Sequence, residues 1–162
     1  MFNIGDTVFY PAYGVGIIDS IEKKIINGIN KSCYVFHLIN NPMTVSIPED
    51  VAGNNNMRLV SASEKLDSLL EKPDYSENDF NELLKCNYKD RKEKFIRKIK
   101  NGSAEEYIQV IAALTRLKCS HNLNSTERQI LYRARKILVE EICISKHISK
   151  EEADSLLEGS IK

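Results

Sequence analysis

Gly5-Asp6-Thr7-Val8-Phe9-Tyr10-Pro11-Ala12-Tyr13-Gly14-Val15-Gly16-Ile17 is the stretch from which the rest of this 162-residue chain can be read. Thr7, Val8, Phe9 and Tyr10 are β-branched or aromatic and suit a pleated, half-buried surface. Pro11 lacks the N–H that would continue a ladder, so a strand ends there. Gly14 and Gly16 tolerate positive φ or the close approach of another backbone, which lets the chain reverse and start a second strand at Val15. This is the composition of a barrel corner. A phosphate-binding loop is the competing reading of a glycine-rich turn, but neither G-x-G-x-x-G nor G-x-x-x-x-G-K-[ST] is present and no helical pattern follows.

Outward from that corner, Val15 to Ile26 predicts a strand and Asn27-Gly28 a type I′ hairpin turn. Ser32 to Ile39 predicts the returning strand, with Cys33, Val35, His37 and Ile39 alternating against Tyr34, Phe36 and Leu38. Asn40-Asn41-Pro42 makes a further turn, and Met43 to Ile47 a strand stopped by Pro48. Asn54-Asn55-Asn56 loosens the chain before a last strand within Met57 to Val60. Short strands joined by tight turns predict a small SH3-like or Tudor-like β-barrel with a usable edge. In it His37 is read as a satisfied strand residue rather than a ligand.

A different periodicity begins near Ser61. Ser61-Ala62-Ser63-Glu64 has the form of a capping box, Leu66, Leu69 and Leu70 supply an apolar stripe, and Pro73 closes the helix. After an acidic connector from Asp74 to Asp79, Phe80 to Lys100 is helical in pattern, interrupted near Asn87 and ended by Asn101-Gly102. Ser103 with Glu106 opens a helix whose Tyr107, Val110, Ile111, Leu114 and Leu117 recur on one face. Asn124 with Glu127 opens the next, with Ile130, Leu131, Ala134, Leu138 and Ile142 inward, and Ser149-Lys150-Glu151-Glu152 opens a last one ending at Gly159. The fold class is therefore α+β in two domains, a β-barrel over residues 1–60 and an all-α helical domain over 61–162.

The net charge is zero, which argues against strong nucleic-acid binding until its distribution is considered. Residues 1–60 carry four basic and five acidic side chains, whereas residues 81–100 carry eight basic against three acidic. Arg128, Arg133, Arg135 and Lys136 form a second basic cluster. Such runs are either a solvated face or an electrostatic footprint for a polyanion. No apolar run approaches a membrane span, and the first residues lack the basic region of a signal peptide, so retention in the cytoplasm is expected. Cys33, Cys86, Cys119 and Cys143 form no C-x-x-C pair, and His37, His121 and His147 add no ligand spacing, so reduced and mostly buried thiols are expected, with no metal and no cofactor. No catalytic motif emerges, and an enzyme is not expected.

The run from Gly5 to Gly16, Asn27-Gly28 and Thr44-Val45-Ser46-Ile47-Pro48 resemble the polymerase-interacting module of the CarD/CdnL family of bacterial transcription regulators, a module also found in transcription-repair coupling factors. The resemblance continues through Asn87-Tyr88-Lys89-Asp90-Arg91, Gly102, Leu123 to Glu127 and, most specifically, Arg133-Ala134-Arg135-Lys136-Ile137-Leu138-Val139-Glu140-Glu141. It implies that the barrel binds the RNA polymerase β subunit by strand addition around Lys24, Ser46, Ile47 and Pro48. It further implies that the helical domain touches promoter DNA at the upstream edge of the melted bubble through Tyr88, Lys89, Arg91, Lys92, Arg128, Arg133, Arg135 and Lys136. A monomeric regulator, associated with the nucleoid through the polymerase, would follow.

Departures from the family pattern leave alternatives open. The chain has no Trp, and Tyr88 stands where the family uses an aromatic wedge, usually Trp. Tyr88 is thus read either as the wedge or as a core residue, and Lys24 either as a polymerase contact or as an ordinary exposed strand residue. Asp90 and Glu93 replace frequent basic positions, and Ser46 a frequent Arg. Two rival functions follow: a polymerase-binding adapter without effective DNA contact, and a Tudor-like RNA- or ribosome-binding factor whose helices dimerise.

Overall fold

The computed structural model describes residues 1–72 and 76–161. The expected helix stop at Pro73 and the start of the acidic connector at Asp74 and Tyr75 lie outside those residues. β1 (Thr7–Tyr10), β2 (Gly14–Ile26), β3 (Ile29–Leu38), β4 (Thr44–Pro48) and β5 (Arg58–Leu59) form one antiparallel sheet in the order β4-β3-β2-β1-β5. This open, barrel-like sheet followed by helices is the α+β arrangement expected.

The corner works as its composition requires. Ala12 has φ 68° and Gly14 φ 115°, so the reversal passes through left-handed backbone at two residues. At Gly16 a Cβ would meet the His37 carbonyl oxygen at 2.8 Å and the Phe36 ring at 2.9 Å, so only glycine lets β3 approach. Asn27 and Gly28 have φ 51° and 78°, the paired positive angles of a type I′ turn. A register shift between Ile18 and Ser20 makes Asp19 the extra residue of a bulge. Both Asp19 carboxylate oxygens lie 2.9 Å from His37 Nδ1, which satisfies that histidine.

Val8, Ile18, Tyr34, Phe36, Leu38 and Ile47 fill the barrel, together with Ala52 and Met57. Ala52 belongs to α1 (Glu49–Asn54), a short helix that the sequence reading did not anticipate. Six residues are too few to display a 3.6-residue period, and the expected loosening begins only after Asn54.

The remaining helices are α2 (Ser63–Glu71), α3 (Glu77–Lys85), α4 (Tyr88–Asn101), α5 (Ala104–Ser120), α6 (Ser125–Lys146) and α7 (Lys150–Ile161). Asn87 separates α3 from α4 because its side chain accepts the Asp90 N–H at 2.9 Å and so caps a new helix. Ser103 accepts from Glu106 N, and Asn124 with Glu127 makes a complete capping box. Three boundary expectations are corrected, the first being that α3 begins at Glu77, within the stretch read as an acidic connector, with Ser76 as its cap. Ser61 does not cap α2, whose N-cap is Ala62 with no side-chain bond. The last helix does not stop at Gly159 but continues to Ile161. The thiols also differ from expectation: Cys33 alone of the four is buried, and Cys119 is exposed on α5.

Sheet and helices share a core because β1 is used on both faces. Val8 points into the barrel, while its neighbour Phe9 and Val15 of β2 belong to the helical core with Tyr107, Ile111, Leu114, Leu138 and Ile142. Phe9 and Tyr107 meet edge to face at 5.3 Å, and the Tyr107 hydroxyl accepts the Ala12 N–H at 3.1 Å. Arg58 of β5 gives Glu141 of α6 two bonds, from Nη1 at 2.6 Å and Nη2 at 3.0 Å. Ser61 N adds a third at 2.9 Å. The Arg58 Nε donates to the Gly102 carbonyl at 2.8 Å, and its guanidinium lies 4.2 Å from the Phe9 ring centroid. Gly102 has φ 78°, and a Cβ there would come 2.5 Å from Pro11 Cγ, so this helix terminus abuts the barrel corner as only glycine can.

Two outcomes follow. Glu141→Ala removes a carboxylate with no exposed surface and leaves the Arg58 and Ser61 donors unpaired. Unfolding free energy should fall by about 3 kcal/mol and the melting temperature by roughly 10 °C, measured by calorimetry. Burial pushes the Tyr107 hydroxyl up to about 12. A raised folded-state pKa gives stability that is present below the unfolded value near 10 and lost as pH rises toward 12. Denaturant titrations should show that loss in the wild type and not in Tyr107→Phe.

Candidate functional site

On the barrel, β4 is an outer strand that pairs with β3 alone. Along it side chains alternate: Ser46 is exposed, Ile47 is buried in the barrel core and Pro48 is half-buried. Ile47 therefore offers a partner its main chain but not its side chain. Lys24 Nζ reaches over β3 to donate to Ser46 Oγ at 2.9 Å and lies 3.6 Å from a Glu22 carboxylate oxygen. Lys24 and Ser46 thus form one exposed polar unit beside the free edge. Near it Lys31 bonds Asp50 at 2.8 Å, and that bond holds the Asp50 carboxyl below its ordinary value.

The residues singled out on the helices separate into two groups. Tyr88, the first residue of α4, is 40% exposed and belongs to neither buried cluster, so its ring is free of the core. Lys89 is exposed beside it, as are Asp90 and Glu93, and Lys92 is half-buried. Arg91 points the other way. Its Nε and Nη2 each lie 2.6 Å from Glu127 Oε1, and the Glu127 side chain is 2% exposed. On α6, Arg135 is held by Asp154 at 2.9 Å and Glu158 at 3.3 Å, and Arg128 donates to the Leu123 carbonyl at 2.9 Å. Arg133 and Lys136 are exposed and form no ion pair among the described residues.

The Arg91–Glu127 pair joins the N-terminal ends of α4 and α6, and the two helices continue side by side toward the barrel. A groove of about 280 Å³ lies between them, with Ile96, Ile99, Ile130, Ala134 and Ile137 as its floor and Lys100, Gln129 and Arg133 on its walls. The groove is thus apolar within and carries Lys100 and Arg133 as its cations, while Tyr88 and Lys89 belong to the first turn of α4 outside its lining. Among the described residues no cluster of His, Cys, Asp or Glu could hold a metal ion, and no helix is long and apolar enough to cross a membrane.

Lys100 escaped the sequence reading as a site residue, although it lies in the basic run that was noticed. The buried carboxylates were missed as well, yet they left a signal. Glu127 and Glu141 occupy the inward register of α6 set by Ile130, Ala134 and Leu138, and a charge at a core position demands a buried partner.

Comparison with known proteins completes the picture. Residues 2–68 match the CarD-like/TRCF RID domain family, and residues 77–158 match the family described as CarD, C-terminal domain. A Bacillus subtilis (strain 168) protein, YdeB, named as a candidate transcription factor, is 32% identical over 155 residues, which is 96% of this chain and 99% of the relative.

The geometry separates structural from free cations in a measurable way. Arg91→Ala strands the Glu127 carboxylate and should lower unfolding free energy by about 3 kcal/mol. Replacing Arg133 and Lys136 by Ala should change it by less than about 0.5 kcal/mol. Equal losses in thermal denaturation would contradict this division.

Proposed function

The chain belongs to the CarD-like family of transcription factors, and on that premise we propose that it regulates transcription by holding the RNA polymerase β subunit with its barrel while its helices contact promoter DNA. It acts by binding, without catalysing a reaction. The observation that carries this reading is the division of exposed features between the two halves: an open sheet edge beside Lys24 and Ser46, and an unpaired aromatic with free cations along α4 and α6.

Each surface suits one kind of partner. A strand added to β4 would gain main-chain hydrogen bonds, and Lys24 would set its charge preference. Tyr88 stands at a helix end with its ring out of the core, and Lys89 next to it can neutralise a phosphate. A ring that inserts between base pairs meets its partner only once they have unstacked. It therefore favours the melted promoter, since a ligand shifts an equilibrium only through differential affinity. Arg133, Lys136 and Lys100 supply sequence-independent attraction to the phosphates.

One observation favours a second reading, an adapter with little DNA contact. Arg91 is committed to a buried carboxylate and Arg135 to the half-exposed Asp154 and Glu158, and Asp90 and Glu93 are exposed beside Tyr88. Open-complex decay measured with competitor DNA separates the two. Under the first reading Tyr88→Ala should shorten the lifetime about fivefold, Tyr88→Trp should lengthen it, and both should melt like the wild type. Under the second, neither variant alters the lifetime. Lys24→Glu should weaken capture of the full chain by the purified β lobe about tenfold without lowering its melting temperature, and unchanged capture would move the contact away from this edge.

A further inference from the structure

A feature that the promoter-contact reading does not use lies where barrel and helices meet. Tyr13, in the left-handed turn between β1 and β2, is 55% exposed although it is aromatic. Its ring stacks on Tyr10 with centroids 4.9 Å apart and planes 13° from parallel. The turn that carries it is fixed by the bond from Ala12 N to the Tyr107 hydroxyl. Tyr13 is therefore a held platform rather than a loose surface ring.

The platform borders a cleft of about 230 Å³ whose walls include Asn40 and Asn41 from the loop after β3 and Arg133 and Lys136 from α6. The Glu140 carboxylate also lines it, but its Oε1 is engaged by the Val15 N–H at 2.9 Å, which turns that charge toward the backbone. Ala12, Arg133 and Ile137 line both this cleft and the α4–α6 groove, so the two are neighbours. An aromatic face, two amide side chains and two unpaired cations are the groups that recognise a base, its hydrogen-bonding edge and its phosphate.

We propose that this cleft binds an unpaired nucleobase with its attached phosphate, supplied by single-stranded DNA. Tyr13 stacks the base, Asn40 and Asn41 meet its edge, and Arg133 and Lys136 hold the phosphate. The site rests on the promoter-contact reading and extends it, making the barrel half part of the DNA surface. A strand lying in the α4–α6 groove would pass Arg133 to reach Tyr13. A free nucleotide shares the recognised chemistry, and the test separates the two sources.

The test is fluorescence anisotropy of a labelled oligo(dT) of roughly twelve nucleotides with the full chain at low salt, against a duplex of equal length. The wild type should bind the single strand more tightly than the duplex. Tyr13→Ala should weaken that binding about tenfold while Tyr13→Phe preserves it, with melting temperatures equal to the wild type. Lys136→Ala should reduce the salt slope by about 0.7. Binding that ignores Tyr13→Ala, or that Tyr13→Phe loses as fully as Tyr13→Ala, overturns the stacking site. If thymidine monophosphate binds as tightly as the oligonucleotide, the source is a free nucleotide and the single-strand assignment falls. An open-complex lifetime that still depends on Tyr88 while oligo(dT) binding ignores Tyr13 removes this site and leaves the promoter-contact reading intact.

Discussion

A carboxylate with no exposed surface can stay ionised inside a protein only if donors replace the water it has lost. Glu141 meets that demand with the Arg58 fork and the Ser61 N–H. Its donors come from the last strand of the sheet and from the linker, and it stands in the last third of α6. The requirement is therefore met only in one relative placement of the two halves. Arg58 extends the constraint by donating to the Gly102 carbonyl and lying over Phe9, so a single guanidinium touches the strand, the helix terminus and the buried acid together.

That placement gives the proposed surfaces their relation to one another. The β4 edge and the α4–α6 groove lie on different halves, and a hinged junction would lose conformational entropy each time both were engaged. Here the orientation is set in the free chain, which would lower the cost of engaging both proposed surfaces at once. The shared hydrophobic core works in the same direction. Phe9 and Val15 stay paired in the sheet while their side chains pack among helical residues, so the two halves share one core.

Much of this was legible in the residues. The corner at Gly14 and Gly16, the Asn27-Gly28 turn, the break at Asn87 and the stop at Gly102 are each dictated by local backbone chemistry, which a sequence displays directly. The inward face of α5 was equally plain from its period. What could not be read were facts of tertiary partnership. Ser61 has the spacing of a helix cap, yet its hydroxyl accepts from Arg58 and its N–H donates to an acid 80 residues away, so both serve the junction and not the start of α2. Arg91 and Arg135 look like members of basic patches, but Glu127, Asp154 and Glu158 approach them only in the folded chain. α1 was missed because one and a half turns carry no period. Ile47 was named within a contact strand, and only the alternation of β4 shows which of its atoms face outward.

The contact between Gly102 and Pro11 has a consequence for how such chains can diverge. A barrel and a helical bundle joined in series invite the expectation that either could be exchanged for a relative's as a cassette. The Pro11 ring fills the space that any side chain at position 102 would occupy, and Arg58 and Glu141 form a second matched pair across the same boundary. Each position constrains a residue in the other half, so drift at one is tolerated only with a compensating change at its mate. Recombination at the linker would separate both pairs at once. A viable hybrid would have to carry residues 11 and 58 with the barrel and suit them to the new occupants of 102 and 141.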